Sequence, residues 1–312
     1  MKKPRMIKYG LKLKTINKEI LTKAIDLINH GDFHYLEIHV GPISFQLNID
    51  ILSSTKIPIV LHSPYILEGL NISTNEKLNH KIFTSMLRFA NLTNAKFIIV
   101  HPGVGGNISN VISFLLQYND PRILIENLPK YSIITRRLIA SKLPNSYKMI
   151  LSKIAKHIPK RIKENAINIV TGKQKQFCFG HSPEEIRMIL DSTNVGFCLD
   201  FGHAYSSSCS INQNYYDIIR EFLLLEPSLF HVHDGFSSDE YDHHMTIGEG
   251  NYDLPFIYQC VIDHPTKYLT LETPRKRVDS FKCDKENRVS FERLGSQLIA
   301  NKNSNYNFIN NN

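Results

Sequence analysis

The chain carries the stretch Leu229-Phe-His-Val-His-Asp-Gly235, followed closely by Tyr241-Asp-His-His-Met-Thr-Ile-Gly-Glu-Gly250. The first part predicts a short buried strand, and side chains two residues apart share a face of a strand, so His231 and His233 point the same way. The second part places Asp242 and His244 two residues apart, before glycines that favour a turn. Imidazole and carboxylate groups this dense are the ligands that zinc prefers. The stretch predicts a strand that leads into a metal site, and the alternative is a polar loop with solvated histidines.

Eight short apolar segments recur along the chain, and helix-like segments follow them. They lie at 9–13, 34–40, 57–63, 96–103, 122–128, 196–203, 229–235 and 268–274. Their near-continuous Val, Ile, Leu and Phe content is typical of parallel strands that are buried on both faces. Eight such units in 312 residues predict the α/β class and a (β/α)8 TIM barrel in a single domain. The predicted helices include 71–94, 147–162, one that begins at Ser182, and a last helix at 291–300.

The charge is concentrated in one part of the chain. Between Lys130 and Lys175 there are twelve Lys and Arg residues and one acid, Glu164, so this block carries a charge of +11. The whole chain carries +8, and the rest of it therefore carries about −3. We therefore expect a barrel over 1–303 with a basic insertion at 130–180 in the loop after the fifth strand, and a disordered, Asn-rich tail at 304–312. A basic block indicates a polyanion partner such as DNA, although charge runs are more often solvated helix faces.

Composition indicates where the protein works. No run of 18 apolar residues is present, so we expect no membrane span. The basic start of the chain has no apolar segment behind it, which argues against a signal peptide. The five cysteines have no paired spacing and fit a reducing compartment. We expect a cytoplasmic protein that is a monomer.

Residues that can bind metals follow or end the predicted strands from the third onward. In TIM barrels, the carboxyl ends of the strands form the active site, and buried acids are rare unless they are paired or bound to a metal. One metal needs about four of these residues, whereas three metals would use all nine. The nine candidate ligands are His62, His101, Glu126, Asp200, His203, His231, Asp242, His244 and Glu272.

The combination of motifs resembles the endonuclease IV family of apurinic/apyrimidinic endonucleases, within the wider xylose isomerase-like barrel superfamily. The motifs span residues 61–274: Leu61-His-Ser-Pro-Tyr65, Val100-His-Pro-Gly103, Ile125-Glu-Asn127, Leu199-Asp-Phe-Gly-His-Ala204, Phe230-His-Val-His-Asp234, Asp242-His-His-Met-Thr-Ile-Gly-Glu-Gly250 and Leu271-Glu-Thr-Pro274.

The resemblance implies three zinc ions. The first would be held by His62 and His101, with Glu126 bridging to a second held by Asp200, His231 and Glu272. The third would be held by His203, Asp242 and His244. In that family a bridging hydroxide attacks phosphorus and cuts DNA on the 5′ side of an abasic site. The resemblance also implies that Tyr65 helps to hold the DNA.

Several residues depart from the endonuclease IV pattern. Asn127-Leu-Pro-Lys130 follows the bridging Glu126, and Tyr205-Ser-Ser-Ser-Cys209 follows His203, where that family has small residues. The second strand carries Glu37 and His39, which are closer to the sugar isomerase branch.

The alternative is therefore a sugar or sugar-phosphate isomerase or epimerase with one Mn²⁺ or Mg²⁺. In it, Glu126 and Glu272 would be the catalytic acid–base pair. Glu37, Tyr65 and His233 are candidate substrate-binding residues. A third, non-enzymatic alternative is a metal-storing or nucleic-acid-binding scaffold.

Overall fold

In the computed structural model of the protein, which describes residues 6–14, 17–41, 48–135 and 173–309, eight parallel strands close into a barrel. The barrel strands are β1 (Lys8–Leu13), β2 (Tyr35–His39), β3 (Ile59–His62), β4 (Phe97–Val100), β5 (Ile123–Glu126), β8 (Gly196–Asp200), β9 (Leu229–Val232) and β10 (Tyr268–Leu271). Around the barrel, they follow the order β1-β10-β9-β8-β5-β4-β3-β2. Helices lie between the strands, and the predicted (β/α)8 TIM barrel is confirmed.

The helices surround the barrel. They are α1 (Lys18–Asn29), α2 (Ile49–Ser54), α3 (Lys77–Leu92), α4 (Ile108–Tyr118), α5 (Pro183–Ser192), α6 (Phe201–Ile211), α7 (Tyr215–Leu223), α8 (Leu254–Asp263) and α9 (Lys282–Ile309). As predicted, Ser182 caps α5, with its side chain accepting a hydrogen bond from the Glu185 backbone N–H at 3.4 Å. The predicted helix at 71–94 is shorter, since α3 begins only at Lys77. The last helix is longer than the predicted 291–300, and it includes residues 304–309 of the tail that was expected to be disordered.

Alternation along the strands separates two buried layers. Inside the barrel, one residue from each of six strands packs into a single apolar cluster, formed by Tyr35, Val60, Ile99, Leu124, Cys198 and Leu229. The neighbouring residues in each strand face outward and pack against the helices. The next inward position, two residues further along each strand, is therefore directed at the carboxyl end of the barrel.

A glycine makes room for the largest member of the inner cluster. A Cβ atom on Gly10 in β1 would lie 2.3 Å from the ring of Tyr35 and 2.6 Å from the hydroxyl of Thr270. Only a residue without a side chain fits between them, which explains why an apolar strand contains Gly10.

The amphipathic helix α3 shows how the outer layer is built. Its buried residues recur at the helical spacing that the sequence shows, among them Ile82, Phe83, Met86 and Phe89. Phe83 packs edge-on against Phe114 of α4, with ring centroids 5.2 Å apart. This packing holds α3 and α4 against each other, beside the strands that they connect.

Residues 131–177 form a second compact unit, separate from the unit of Met1–Lys130 and Cys178–Asn312 that contains the barrel. Its described part is an antiparallel ribbon of β6 (Tyr131–Thr135) and β7 (Lys173–Phe177), in which Tyr131 pairs with Phe177. The sequence did not predict these strands. Most of the basic block, with the helix predicted at 147–162, lies outside the described residues.

None of the helices within the described ranges is long and apolar enough to cross a membrane.

Candidate metal centre

The inward positions at the carboxyl end of the barrel are occupied by polar residues. His62, Glu126 and Asp200 are the last residues of β3, β5 and β8. His101 and Glu272 follow β4 and β10 by one residue, and His231 lies inside β9. Five of them lie two residues beyond a member of the inner apolar cluster, and Glu272 lies two residues beyond Thr270, which also faces inward, so the barrel brings all six together.

The first group consists of His62, His101 and Glu126. Glu126 Oε2 lies 3.2 Å from His62 Nε2 and 3.1 Å from His101 Nε2. The two rings meet edge to face, with centroids 5.0 Å apart. All three ligand atoms lie within 4.8 Å of one another, so this group can hold one metal ion.

The second group is centred on His231. Its Nδ1 atom lies 2.9 Å from Glu126 Oε1 and 3.0 Å from Glu272 Oε1. Asp200 is fully buried beside this group, and it can offer an oxygen within 4.8 Å of Glu126 and His203. Glu126 therefore directs one oxygen to each of the first two groups, the arrangement expected of a bridging carboxylate.

The third group consists of His203, Asp242 and His244. Asp242 Oδ2 lies 3.4 Å from His203 Nε2 and 2.6 Å from His244 Nε2. His203 was predicted to be the last residue of the sixth strand, 196–203, but that strand ends at Asp200 and His203 lies in the first turn of α6. Asp200 caps this helix by accepting a hydrogen bond from the His203 backbone N–H at 2.7 Å, which ties the second group to the third.

The loop that supplies Asp242 and His244 is organised by Asp234, which is buried. The two carboxylate oxygens of Asp234 accept four backbone N–H bonds, from the residue after it and from the far end of the loop: Gly235 (2.8 Å), Gly248 (2.8 Å), Gly250 (2.9 Å) and Tyr252 (3.2 Å). Backbone bonds between Asp234 and Met245 close the loop further. Asp234 therefore holds the third group in place, a role that was not predicted from the sequence.

Three candidate ligand histidines are oriented in the same way. The Nδ1 atoms of His62, His203 and His244 lie 3.0, 2.8 and 3.0 Å from the backbone carbonyls of Ser63, Asn127 and Glu272. A carbonyl only accepts hydrogen bonds, so each Nδ1 carries a proton and each Nε2 is the nitrogen left to bind a metal among the carboxylates. This is the usual arrangement of histidines that bind metals.

His233, a predicted substrate-binding residue, is fully buried. Its Nδ1 atom lies 2.9 Å from the Asp234 carbonyl, and its Nε2 atom lies 3.0 Å from Asp242 Oδ1 and 3.6 Å from Asp200 Oδ1. A Cβ atom on Gly202 would lie 2.0 Å from this ring, so Gly202 makes room for it. The contacts place His233 against the acids of two groups, which argues against the predicted contact with a substrate.

Glu37, another predicted substrate-binding residue, also lies below the site rather than at its opening. Its side chain is fully buried and contacts His231, Lys12 and Thr270. Lys12 also forms an ion pair with Glu272. Lys12 was not predicted as part of the site, although a cation at an inward position of an apolar strand is a signal that the sequence contains.

Tyr65, the third predicted substrate-binding residue, is partly exposed beside the first group. Its ring stacks on His39 with centroids 4.3 Å apart, and it lies 5.5 Å from the rings of both His62 and His101. His39 is held in turn by Glu68, at 2.7 Å. This placement leaves Tyr65 available to a substrate.

The buried acids of the centre are ionised. Burial alone would raise the pKa of Glu126, but His231 and His101 outweigh it and hold that pKa well below its usual range. Burial would likewise raise the pKa of Asp242, but His244 and His233 hold it well below its usual range. These carboxylates therefore carry negative charge that a cation would balance.

The polar atoms of the centre fit a metal. Among the described residues, Asp200 Oδ2 is buried without a hydrogen-bond partner, and Asp242 Oδ1 and His233 Nε2 face each other at 3.0 Å without the geometry of a hydrogen bond. Buried polar atoms that form no hydrogen bond are rare in folded proteins, and here they lie between groups that can ligate metals. The donors are imidazole nitrogens and carboxylate oxygens, which suit zinc, and the described part of the chain contains several such groups.

A parallel eight-stranded barrel with candidate metal ligands at its carboxyl end defines a class of TIM barrels. The chain belongs to the xylose isomerase-like TIM barrel family, whose model matches residues 49–293. Among curated proteins it is similar to uncharacterized protein MJ1311 of Methanocaldococcus jannaschii, at 23% identity over 261 residues, which are 78% of this chain and 76% of that protein.

Solved structures with the same fold have different activities. The structure is similar to that of an L-ribulose 3-epimerase, with a TM-score of 0.61, 11% identity and coverage of 96% of this chain and 97% of that chain. A D-tagatose 3-epimerase-like protein has a TM-score of 0.58 and 16% identity, with coverage of 94% of this chain and 100% of that chain. Endonuclease IV from Thermus thermophilus has a TM-score of 0.57 and 19% identity, with coverage of 92% of this chain and 99% of that chain. Identities this low show the fold alone, so the activity is open between hydrolase and isomerase. The superfamily is confirmed by the family model that matches residues 49–293.

Proposed function

We propose that the protein is a zinc-dependent phosphodiesterase similar to endonuclease IV, which hydrolyses DNA on the 5′ side of abasic sites. The third group of donors carries this proposal. The Nε2 atoms of His203 and His244 lie 3.4 and 2.6 Å from Asp242 Oδ2, so these three residues form a donor set in addition to the one centred on His231. An isomerase that uses one metal has no evident need for this group, whereas a three-metal phosphodiesterase needs all nine ligands.

The residues of the centre have distinct roles in this proposal. Glu126 directs Oε2 to the first group and Oε1 to the second, so it would hold two metals close together. Metals bound here would lower the pKa of coordinated water and neutralise charge on the phosphoryl and leaving oxygens. The backbone carbonyls that fix His62, His203 and His244 pre-orient the ligands. Tyr65, at the opening, would contact the DNA.

The test begins with the protein purified without chelator. We expect about three zinc ions per chain by elemental analysis, since catalytic zinc typically takes about three protein ligands. A duplex oligonucleotide with one abasic site should be cut on its 5′ side to leave a 3′-hydroxyl, and the same duplex without that site should stay intact. Full zinc occupancy without cleavage of either duplex would contradict the proposed substrate.

A second candidate is a sugar or sugar-phosphate epimerase that uses one divalent metal. It is favoured by the cavity of about 340 Å³ beside Glu272 and His244, which is also lined by Lys12, Lys14 and Arg275. A cavity of this size is typical of small-molecule sites, and its cations suit an anionic ligand. Glu126 and Glu272 both lie at about 3 Å from His231 Nδ1, so they could flank a substrate held by one metal.

The metal count separates the two candidates. About one Mn²⁺ or Mg²⁺ per chain, with exchange of the substrate's α-proton for deuterium in a screen of ketose phosphates, would favour the epimerase. About three zinc ions and no such exchange would exclude it.

A further inference from the structure

His231 presents the opposite nitrogen from the other oriented histidines. His62, His203 and His244 bond through Nδ1 to a backbone carbonyl and direct Nε2 to the carboxylates. His231 directs Nδ1 to Glu126 and Glu272, and its Nε2 atom faces away from them into the barrel. The partner of Nε2 therefore decides whether Nδ1 is free to bind a metal.

That partner is Glu37, on β2. Glu37 Oε2 lies 3.0 Å from His231 Nε2 and accepts a second hydrogen bond from the Thr270 hydroxyl at 2.7 Å. The Thr270 hydroxyl lies 2.7 Å from the hydroxyl of Tyr35, which is also buried. Glu37 is thus held in one orientation by neighbours on β9 and β10 and has no exposed surface.

Lys12, on the adjacent strand β1, supplies the compensating charge. Its Nζ atom lies 3.1 Å from Glu37 Oε1 and also forms an ion pair with Glu272. An unpaired carboxylate at this depth would be strongly unfavourable, so Lys12 makes the buried Glu37 tolerable. Lys12, Glu37 and His231 form a continuous chain of contacts from one wall of the barrel to the second group.

We propose that Glu37 is a positioning residue that keeps the proton of His231 on Nε2, so that the Nδ1 lone pair binds the metal of the second group, with Lys12 balancing the charge of Glu37. A carboxylate partner also makes an imidazole a stronger ligand than a carbonyl partner does. The second group would therefore hold its metal more tightly than the third. The inference rests on the metal binding of the proposed function but not on the reaction.

The experiment measures metal affinity and the histidine tautomer, without turnover. Competition with a chelator should show that Glu37→Ala weakens one bound zinc about 10- to 100-fold, the usual effect of removing a ligand's hydrogen-bond partner. Glu37→Gln, which keeps the volume and an acceptor oxygen, should restore part of the loss. Glu185→Gln removes a carboxylate that bonds the Gly180 backbone N–H outside the centre, so it is the matched control and should leave every zinc affinity unchanged.

Nitrogen-15 NMR of the zinc-loaded wild-type protein gives a readout that needs no variant. We expect His231 to show a protonated Nε2 and a zinc-bound Nδ1, and His62, His203 and His244 to show the reverse. Zinc on His231 Nε2, or zinc affinities in Glu37→Ala equal to those of the wild type, would overturn the inference. Because neither measurement requires cleavage, failure of the abasic-DNA assay alone would refute the proposed substrate and leave this inference standing.

Discussion

His244 offers the sharpest test of the third group. Its Nε2 atom lies 2.6 Å from Asp242, whereas the neighbouring His243 faces Asp239, at 2.7 Å, away from the centre. We expect His244→Ala to contain one zinc fewer per chain and to lose phosphodiesterase activity by about 100-fold or more, since a metal contributes several kcal/mol of charge stabilisation. Elemental analysis and the cleavage rate measure the two effects. His243→Ala is the control and should keep the wild-type activity. Wild-type activity in His244→Ala as well would refute a role for the third metal.

Charge at His203 predicts how the metal-free protein responds to pH. Burial alone would lower the pKa of His203, but Asp200 and Asp242 raise it to about 10. The unfolded value is about 6.5. A raised pKa gives stability that is fully present below the unfolded pKa and is lost as the pH rises through the folded pKa. We therefore expect urea unfolding of the chelated protein to become easier as the pH rises from about 6.5 to about 10.

Two other buried histidines act in the same direction. Burial lowers the pKa of His231 and of His233, but neighbouring acidic groups raise both well above the usual value. His203→Gln should therefore remove part of the pH dependence and not all of it. Stability that increases over this pH range would show that His203 is not paired with acids in the metal-free state.

At the scale of single residues, the alternation of side chains along each strand predicted which side chains meet. His62, Glu126 and Asp200 were found from their positions at strand ends, because inward-facing residues of parallel strands converge in a barrel. The alternation does not show how far below the opening of the barrel a side chain lies. Glu37 and His233 also face inward, but they lie against other ligands rather than at the opening. Their partners come from distant strands and loops, which the local sequence does not specify.

The loop from Asp234 to Tyr252 is the element that carries two ligands of the third group. Asp234→Asn would keep one acceptor oxygen and turn an amide towards backbone N–H groups that now donate to a carboxylate. We expect the free energy of unfolding to fall by about 2–3 kcal/mol, because hydrogen bonds to a buried charge are worth about that much. We also expect this variant to bind one zinc fewer, because the loop carries two ligands of the third group. Urea unfolding measures the stability, and elemental analysis measures the zinc content.

Asp239→Asn is the matched control for this element. Asp239 lies in the same loop and bonds His243, but it is largely outside the centre. It should change neither the stability by more than about 0.5 kcal/mol nor the zinc content. An Asp234→Asn protein with full stability and zinc content would mean that the loop is held by its other contacts.

Elements whose pattern is local were predicted well, and those that depend on context were not. All eight barrel strands were located from their apolar character. Helix α6 was missed because Phe201-Gly-His203 continues the apolar run of β8, and only the Asp200 cap, with its bond to the His203 N–H, ends the strand there. The β6–β7 ribbon was missed because its strands, Tyr131–Thr135 and Lys173–Phe177, are far apart in sequence and the second is polar.

At the scale of the whole molecule, the chain is close to neutral except for the basic block between residues 130 and 175. If the substrate is DNA, this block should supply phosphate contacts, and removing one of them lowers the slope of log K against log salt by about 0.9. Replacing three lysines of the block by glutamine should therefore reduce the slope of log K against log salt by up to about 2.7. The three are Lys153, Lys156 and Lys160.

The control removes the same number of positive charges from the end of the barrel at which the strands begin. Lys56 and Lys96 precede β3 and β4, and Arg88 lies near the end of α3, so all three are remote from the carboxyl ends of the strands. Their replacement by glutamine should leave the slope within about 0.5 of the wild type, since only contacts at the DNA interface release counterions. Fluorescence anisotropy of a labelled abasic duplex at several salt concentrations measures both variants. Equal slopes for both would make the block irrelevant to DNA binding and would shift the balance towards a small anionic substrate in the cavity beside Glu272.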